Sequence, residues 1–214
     1  MTVVQPDRER PQLLHLPTTA ALFQLIRDLQ LGAAVLDIPI GLPPRELRRC
    51  DLEARRLLGR AAPSVFLTPP RAVLQATSQK EASSIWRQLS GRGCPAQTFG
   101  ILARIREVDM ELRAHPLPAV HEGHPELAFQ RLAEGTPLAS KHIPAGRAAR
   151  AGLLQPHLPE LPSWLDRHPG LVEDVLDACA CWLVARWVIE GSSRQLPVEA
   201  VELDEWNTPM AIRY

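Results

Sequence analysis

A chain of 214 residues, 45% of them hydrophobic, can bury a substantial core, and its length suits a single domain spanning 1–214 with some elaboration. Its 24 basic and 24 acidic residues cancel, which excludes a global field drawing the protein onto nucleic acid or an anionic membrane, so any nucleic-acid site must be local. The polar start, Met1 to Pro11, has no apolar targeting core, and no later run approaches the ~18 apolar residues of a membrane span, so a soluble cytoplasmic protein with no membrane partner is expected.

Leu13 to Leu16 reads as a short strand. Thr18 and Thr19 then offer N-caps to a helix through Leu31, with Leu22, Leu25, Ile26 and Leu29 on one face and Gly32 as its stop. The run Ala33 to Pro43, AAVLDIPIGLP, is apolar, carries Asp37 and breaks on Pro and Gly. It reads as a buried strand delivering one carboxylate to its C-terminal edge, where ligands gather in open α/β sheets. The plainer alternative has Asp37 capping the turn through Ile38 to Leu42. A helix starting at Pro43-Pro44 would turn Leu47, Cys50, Ala54, Leu57 and Leu58 inward and end at Gly59. Its other face carries Arg45, Arg48, Arg49, Arg55, Arg56 and Arg60, either a solvated face or a patch that steers phosphate.

Ser78-x-x-Glu81 is a capping box opening a helix to about Leu89. A longer helix runs from Thr98 to about Arg113, a strand from Leu117 to Glu122, and a short helix from Pro125 to Glu134. The last long helix spans Leu171 to Glu190, and Pro197 to Leu203 and Met210 to Arg213 look like terminal strands. Strands alternating with helices predict an α/β layered domain with a central mixed sheet flanked by helices. Cys50, Cys94, Cys179 and Cys181 are scattered and read as core thiols, since the Cys-x-Cys pair lacks a second pair at metal-binding spacing. His121-x-x-His124 likewise lacks a third zinc ligand fixed by spacing.

The acids are the candidate chemistry. Asp37 and Glu122 end two strands, and Asp174 and Asp177 stand three apart on the final helix, so they share a face. Two-metal phosphodiester hydrolysis needs three or four converging carboxylates, and Mg²⁺ and Mn²⁺ prefer such oxygen ligands. The plain readings stay open: Asp174 as a first-turn partner of the helix dipole and Asp177 on the solvent face. His124, between Glu122 and Glu126, could orient a carboxylate or simply precede Pro125. Gln97 could reach a substrate from its Gly-bounded loop.

An ordered set of segments carries a resemblance. Arg49-Cys50-Asp51, Glu53 to Gly59, Ser64-Val65-Phe66 and Pro69-Pro70-Arg71 come first. Gln97 with Ile101, Ile105 to Asp109, Glu122-Gly123-His124-Pro125-Glu126 with Phe129, Lys141, Gly146, and Glu173 to Ala178 follow. Over about residues 33 to 190 the chain resembles the domain of unknown function 429 family, described as predicted nucleases of RNase H-like fold. The resemblance implies an RNase H-like layered domain and a metal-dependent nuclease or phosphodiesterase using Mg²⁺ or Mn²⁺. It implies Asp37, Asp174 and Asp177 as metal ligands, with Glu122 beside them as a catalytic acid. Arg49, Arg55, Gln97 and His124 would face a nucleic acid or phosphate ester.

The chain departs from the family at its start, where members open with a Gly-apolar-Asp-Gly strand. Thr2-Val3-Val4 and Leu13 to Leu16 look more like the second and third strands of the expected initial hairpins. Either the start is an internal Met or the usual first strand is lacking, and with it one metal-ligating Asp. That departure motivates the other expectation, a catalytically silent binding or adaptor protein on the same fold.

Overall fold

The structure is a computed structural model and describes residues 1–5 and 10–214; the polar Gln5 to Pro11 segment therefore lies partly outside the described residues. The chain is mixed α/β. Its first half holds β1 (Thr2–Gln5), β2 (Gln12–His15), α1 (Thr19–Asp28), β3 (Ala34–Leu36), α2 (Arg49–Leu58), α3 (Gln79–Ser90) and α4 (Ala96–Ala114). Its second half holds β4 (Val120–Gly123), α5 (Pro125–Leu132), α6 (Pro144–Leu154), α7 (Leu161–Arg167) and α8 (Val172–Ile189). Four two-residue strands close it: β5 (Gln195–Leu196), β6 (Glu202–Leu203), β7 (Pro209–Met210) and β8 (Ile212–Arg213).

The chain forms two compact units, each assembled from separated segments. The first comprises Met1–Asp37, Gly123–Ser193 and Tyr214; the second comprises Ile38–Glu122 and Arg194–Arg213.

In the first unit β1 and β2 pair antiparallel, with Val3 opposite Leu14 and Val4 opposite Leu13. The helix α8 is its centre, packed by β1, β3, α5, α6 and α7. Such a helix must be apolar on more than one face, and Val175, Leu176, Cys179, Ala180, Leu183 and Val184 are all buried. Phe129, Leu154, Leu158 and Trp164 complete that core. The sequence periodicity locates α8 within a residue at each end. It misses α6 and α7, which are short and begin at or beside proline.

In the second unit α3 packs on α4 and α2 packs on β5 and β8, and Trp86, Ile105, Ala54 and Leu42 are nearly inaccessible. Strand β8 lies between β4 and β5 in one sheet, and β6 and β7 form a separate antiparallel pair. The capping box forms at α3: Ser78 accepts from the Glu81 N–H at 3.2 Å, and the Glu81 carboxylate accepts from the Thr77 N–H at 2.8 Å. Gly41 is a required glycine, at φ +74° with a Cβ site only 2.7 Å from the Pro209 carbonyl oxygen.

The helix expected from Pro43 begins only at Arg49, because Arg48 is withdrawn into the interior rather than presented on an outer arginine face. Its guanidinium donates to Glu122 at 2.6 and 2.8 Å, to Asp51 at 2.5 Å and to the Ile40 carbonyl at 2.9 Å. All four cysteines are free and buried, as read from the sequence. Burial pushes the Cys179 thiol up to about 12, as expected of a thiol that packs rather than reacts.

Candidate functional site

In the first unit β3 ends directly at Asp37, and α8 turns Asp177 toward the loop that precedes α6. From that loop Lys141 reaches Asp177, its Nζ donating to Oδ2 at 2.6 Å. Burial works against the charge on Lys141, but Asp177, with further attraction from Asp37 and Glu126, outweighs it and holds the ammonium above the ordinary lysine range. Burial lifts the Asp177 carboxyl to about 6; Lys141 opposes the rise, while Asp37 and Glu126 add to it. The other Asp177 oxygen is buried without a hydrogen-bond partner. Asp37 is reached by solvent yet surrounded by enough protein that desolvation raises its pKa, opposed by His124 and Lys141 and reinforced by Glu126. Asp37, Asp177 and Lys141 thus share one electrostatic environment, and His124, at the N-cap of α5, belongs to it.

Packing sets the position of Lys141. Arg150 on α6 grips Glu126 with two hydrogen bonds of 3.1 and 2.7 Å and donates to the carbonyls of Ala139 and Gly146 at 2.8 and 2.9 Å. That fork ties the loop to α5 and α6. Gly146 lets the loop lie against α6, since a Cβ there would stand 1.9 Å from the Ser140 carbonyl oxygen. Gly146→Ala is therefore expected to cost about 1–3 kcal/mol by overpacking and to displace Lys141. Urea unfolding reads the first effect, and a lowered Lys141 ammonium pKa in NMR titration reads the second.

Of the other residues expected in the site, Glu122, Arg49, Arg55 and Gln97 belong to the second unit and Asp174 to the first. Glu122 belongs to the second unit, where both oxygens accept from Arg48 and one also accepts from the Ile40 N–H at 2.7 Å. A strand-end acid is there a structural anion. Asp174 is exposed in the first turn of α8, as its helix-dipole reading has it, whereas Asp177 is not on the open solvent face. Arg49 pairs with Glu199 at 2.9 Å, Arg55 donates to the Val65 carbonyl at 2.7 Å, and Gln97 is exposed in the first turn of α4; all three lie in the second unit. Lys141, Glu126 and Arg150 carry no site assignment in the sequence reading. Lys141 and Glu126 do stand among the ordered family matches, and that was the available signal.

A divalent-metal reading needs several oxygen donors facing one point. Glu126 has both oxygens on Arg150, and Asp177 holds Lys141. Among the described residues no group of three or more His, Cys, Asp or Glu side chains could hold a metal ion. As arranged, these residues do not fit a two-metal centre. What they offer instead is a pair of carboxylates of raised pKa beside a fixed ammonium, a set able to exchange protons and to attract an anion.

Among the described residues no helix is long and apolar enough to cross a membrane. No curated protein and no solved structure matches the chain. A family model described as "Protein of unknown function (DUF429)" matches residues 3–202, nearly the whole length, and the chain therefore belongs to that family.

Proposed function

We propose that the protein is a hydrolase of phosphate esters, a nuclease or phosphodiesterase of RNase H-like descent acting in the reducing cytoplasm, with its reaction centre at Asp37, Asp177 and Lys141. The observation that carries the reading is the 2.6 Å contact of Lys141 with Asp177 in the electrostatic environment of Asp37, a strand-end acid. The antiparallel pairing of β1 with β2 is what a later hairpin of an RNase H-like sheet would retain. In this reading Lys141 attracts the phosphate. One of the two aspartates takes a proton from the attacking water as its oxygen bonds to phosphorus. The other, still protonated, gives its proton to the leaving oxygen as the P–O bond breaks. Two coupled carboxylates at one site titrate apart, which supplies the required acid and base together.

A second reading is favoured by a separate observation: Glu122 and Glu126 are each ion-paired with a buried arginine, as in a protein that keeps a fold and binds without cleaving. Cleavage of labelled single-stranded, double-stranded and hybrid nucleic acids and of bis-(p-nitrophenyl) phosphate separates the two. Each substrate is offered to the wild type, Asp37→Asn and Asp177→Asn, with EDTA, Mg²⁺ or Mn²⁺. The first reading expects turnover in EDTA that falls at least ~100-fold in both variants, within the usual worth of acid–base catalysis. Turnover only with added cation would restore a metal-dependent mechanism. Absence of turnover under every condition would leave the binding reading.

A further inference from the structure

The second unit contains a cavity of about 980 Å³ that shares no residue with the Asp37 site. Pockets of this size accommodate drug-sized molecules. Its wall is mostly apolar and includes Met110, Leu203 and Trp206, each more than half exposed although large and hydrophobic. Isolated exposed apolar side chains are ordinary, but three on the wall of one cavity make an apolar surface with no protein cover.

The charges on that wall are mainly positive. The guanidinium of Arg113 lies 4.1 Å from the centroid of the Trp206 ring, a cation–π pair that presents an aromatic face and a cation together. Arg213, on β8, has no hydrogen-bond or ion-pair partner for its side chain among the described residues. His121 lines the same cavity, and burial together with Arg213 depresses its pKa, so it presents a neutral imidazole with a donor and an acceptor. The carboxylate on the wall, Glu122, has both of its oxygens held by Arg48.

Trp206 is also held in place. Asp204 accepts from the N–H groups of Trp206 at 2.8 Å and Thr208 at 2.9 Å, which closes the turn between β6 and β7. Its other oxygen accepts from Leu42 N–H at 3.1 Å and from Arg71. A ring carried on a braced turn loses less freedom when a ligand stacks on it.

We propose that this cavity is a binding site for a small aromatic anion, a planar ring bearing a phosphate, sulfonate or carboxylate group. The ring lies against Trp206 and the apolar wall, and the anionic group meets Arg213 and Arg113, with His121 as a hydrogen-bond partner. Both an aryl acid and a nucleoside monophosphate have this chemistry.

Isothermal titration of the full chain with naphthalene-1-sulfonate, uridine 5′-monophosphate and neutral 1-naphthol tests the proposal. Saturable one-to-one binding of at least one anion is expected, with 1-naphthol at least tenfold weaker. The tighter anion distinguishes an aryl-acid site from a nucleotide site. Arg213→Gln should weaken the anions at least tenfold and leave 1-naphthol unchanged, and Trp206→Leu should weaken all three compounds. Should Arg213→Gln prove unstable by thermal melting, Arg113→Gln with the wild type at 50 and 300 mM salt replaces it, and anion affinity should fall in both. Absence of saturable anion binding to the wild type, or equal anion affinity in stable Arg213→Gln, overturns the proposal. Hydrolytic inactivity of the Asp37 site leaves it untouched.

Discussion

Arg48→Met is expected to lower the unfolding free energy by about 3–5 kcal/mol, the cost of removing one partner from a buried ion pair. Arg48 is 1% exposed, and two carboxylates depend on it, Glu122 at 2.6 Å and Asp51 at 2.5 Å. Asp51 also accepts from the Thr68 N–H, and Glu122 from the Ile40 N–H, so both acids keep backbone donors when the guanidinium is gone. Those donors do not neutralise a charge. Burial already pushes Glu122 upward, with Arg48 as the main opposing influence; without Arg48 the carboxyl must rise further. A carboxyl whose folded pKa exceeds its unfolded value contributes stability that is lost as pH rises through that window. The variant should therefore be least stable, relative to wild type, at neutral and alkaline pH and recover part of the deficit near pH 5. Adding Glu122→Gln to Arg48→Met should restore about 1 kcal/mol or more, because the pair is coupled and the second change removes the stranded charge. Urea unfolding of the wild type, both single variants and the double variant at pH 5 and 8 measures all of this. Additive losses in the double variant would show that Arg48 and Glu122 are not coupled and that Arg48 acts through its other contacts.

The same network marks where the sequence was opaque. The strand-end position of Glu122 is legible from a short apolar run, and its role as an arginine's anion is not, because its partner lies 74 residues earlier. Arg48 looks in the sequence like one more arginine on a solvated helix. Only the late start of α2 reveals that it belongs to the segment before the helix. By contrast α3, α4 and α8 were legible, since caps, glycine stops and helical periodicity all lie within one short window. Asp37 and Asp177 were both nameable, one from its place after a strand and one from its place on a late helix. Their cation was nameable only as a matched residue: a lysine in a loop carries no periodic signal, and what fixes Lys141 is a close approach at Gly146 and an arginine fork onto Glu126. Such long-range polar contacts depend on the finished fold, so local pattern cannot supply them. The division into two units was equally hidden, because each is built from segments far apart in the chain.

Asp177→Asn is expected to remove a pH dependence that the wild type carries. The Asp177 carboxyl titrates at about 6 in the folded protein, against 3.8 for an unperturbed aspartate. Between those values the folded chain retains a proton that the unfolded chain has released, so stability falls as pH rises through that window. The shift corresponds to a loss on the order of 3 kcal/mol between pH 4 and pH 7. Asparagine keeps an oxygen for the Lys141 hydrogen bond and cannot ionise. The lost charge partner displaces the variant's curve by a nearly constant amount while Lys141 remains protonated. The unfolding free energy of the variant minus that of the wild type should then rise from pH 4 upward, most steeply near pH 5, midway between the two values, and level off above 6. A difference that stays flat across urea titrations at pH 4, 5, 6 and 7 would show that Asp177 titrates normally and is not desolvated beside Asp37. If Asp177 is the base of the proposed reaction, the same ionisation that costs stability turns the site on, and turnover should climb through pH 6, where the decline in stability levels off. A turnover midpoint at the pH where the stability decline ends would tie the strain of a desolvated carboxylate to its chemistry, because the proton lost near pH 6 would be the one whose absence lets Asp177 accept another from water.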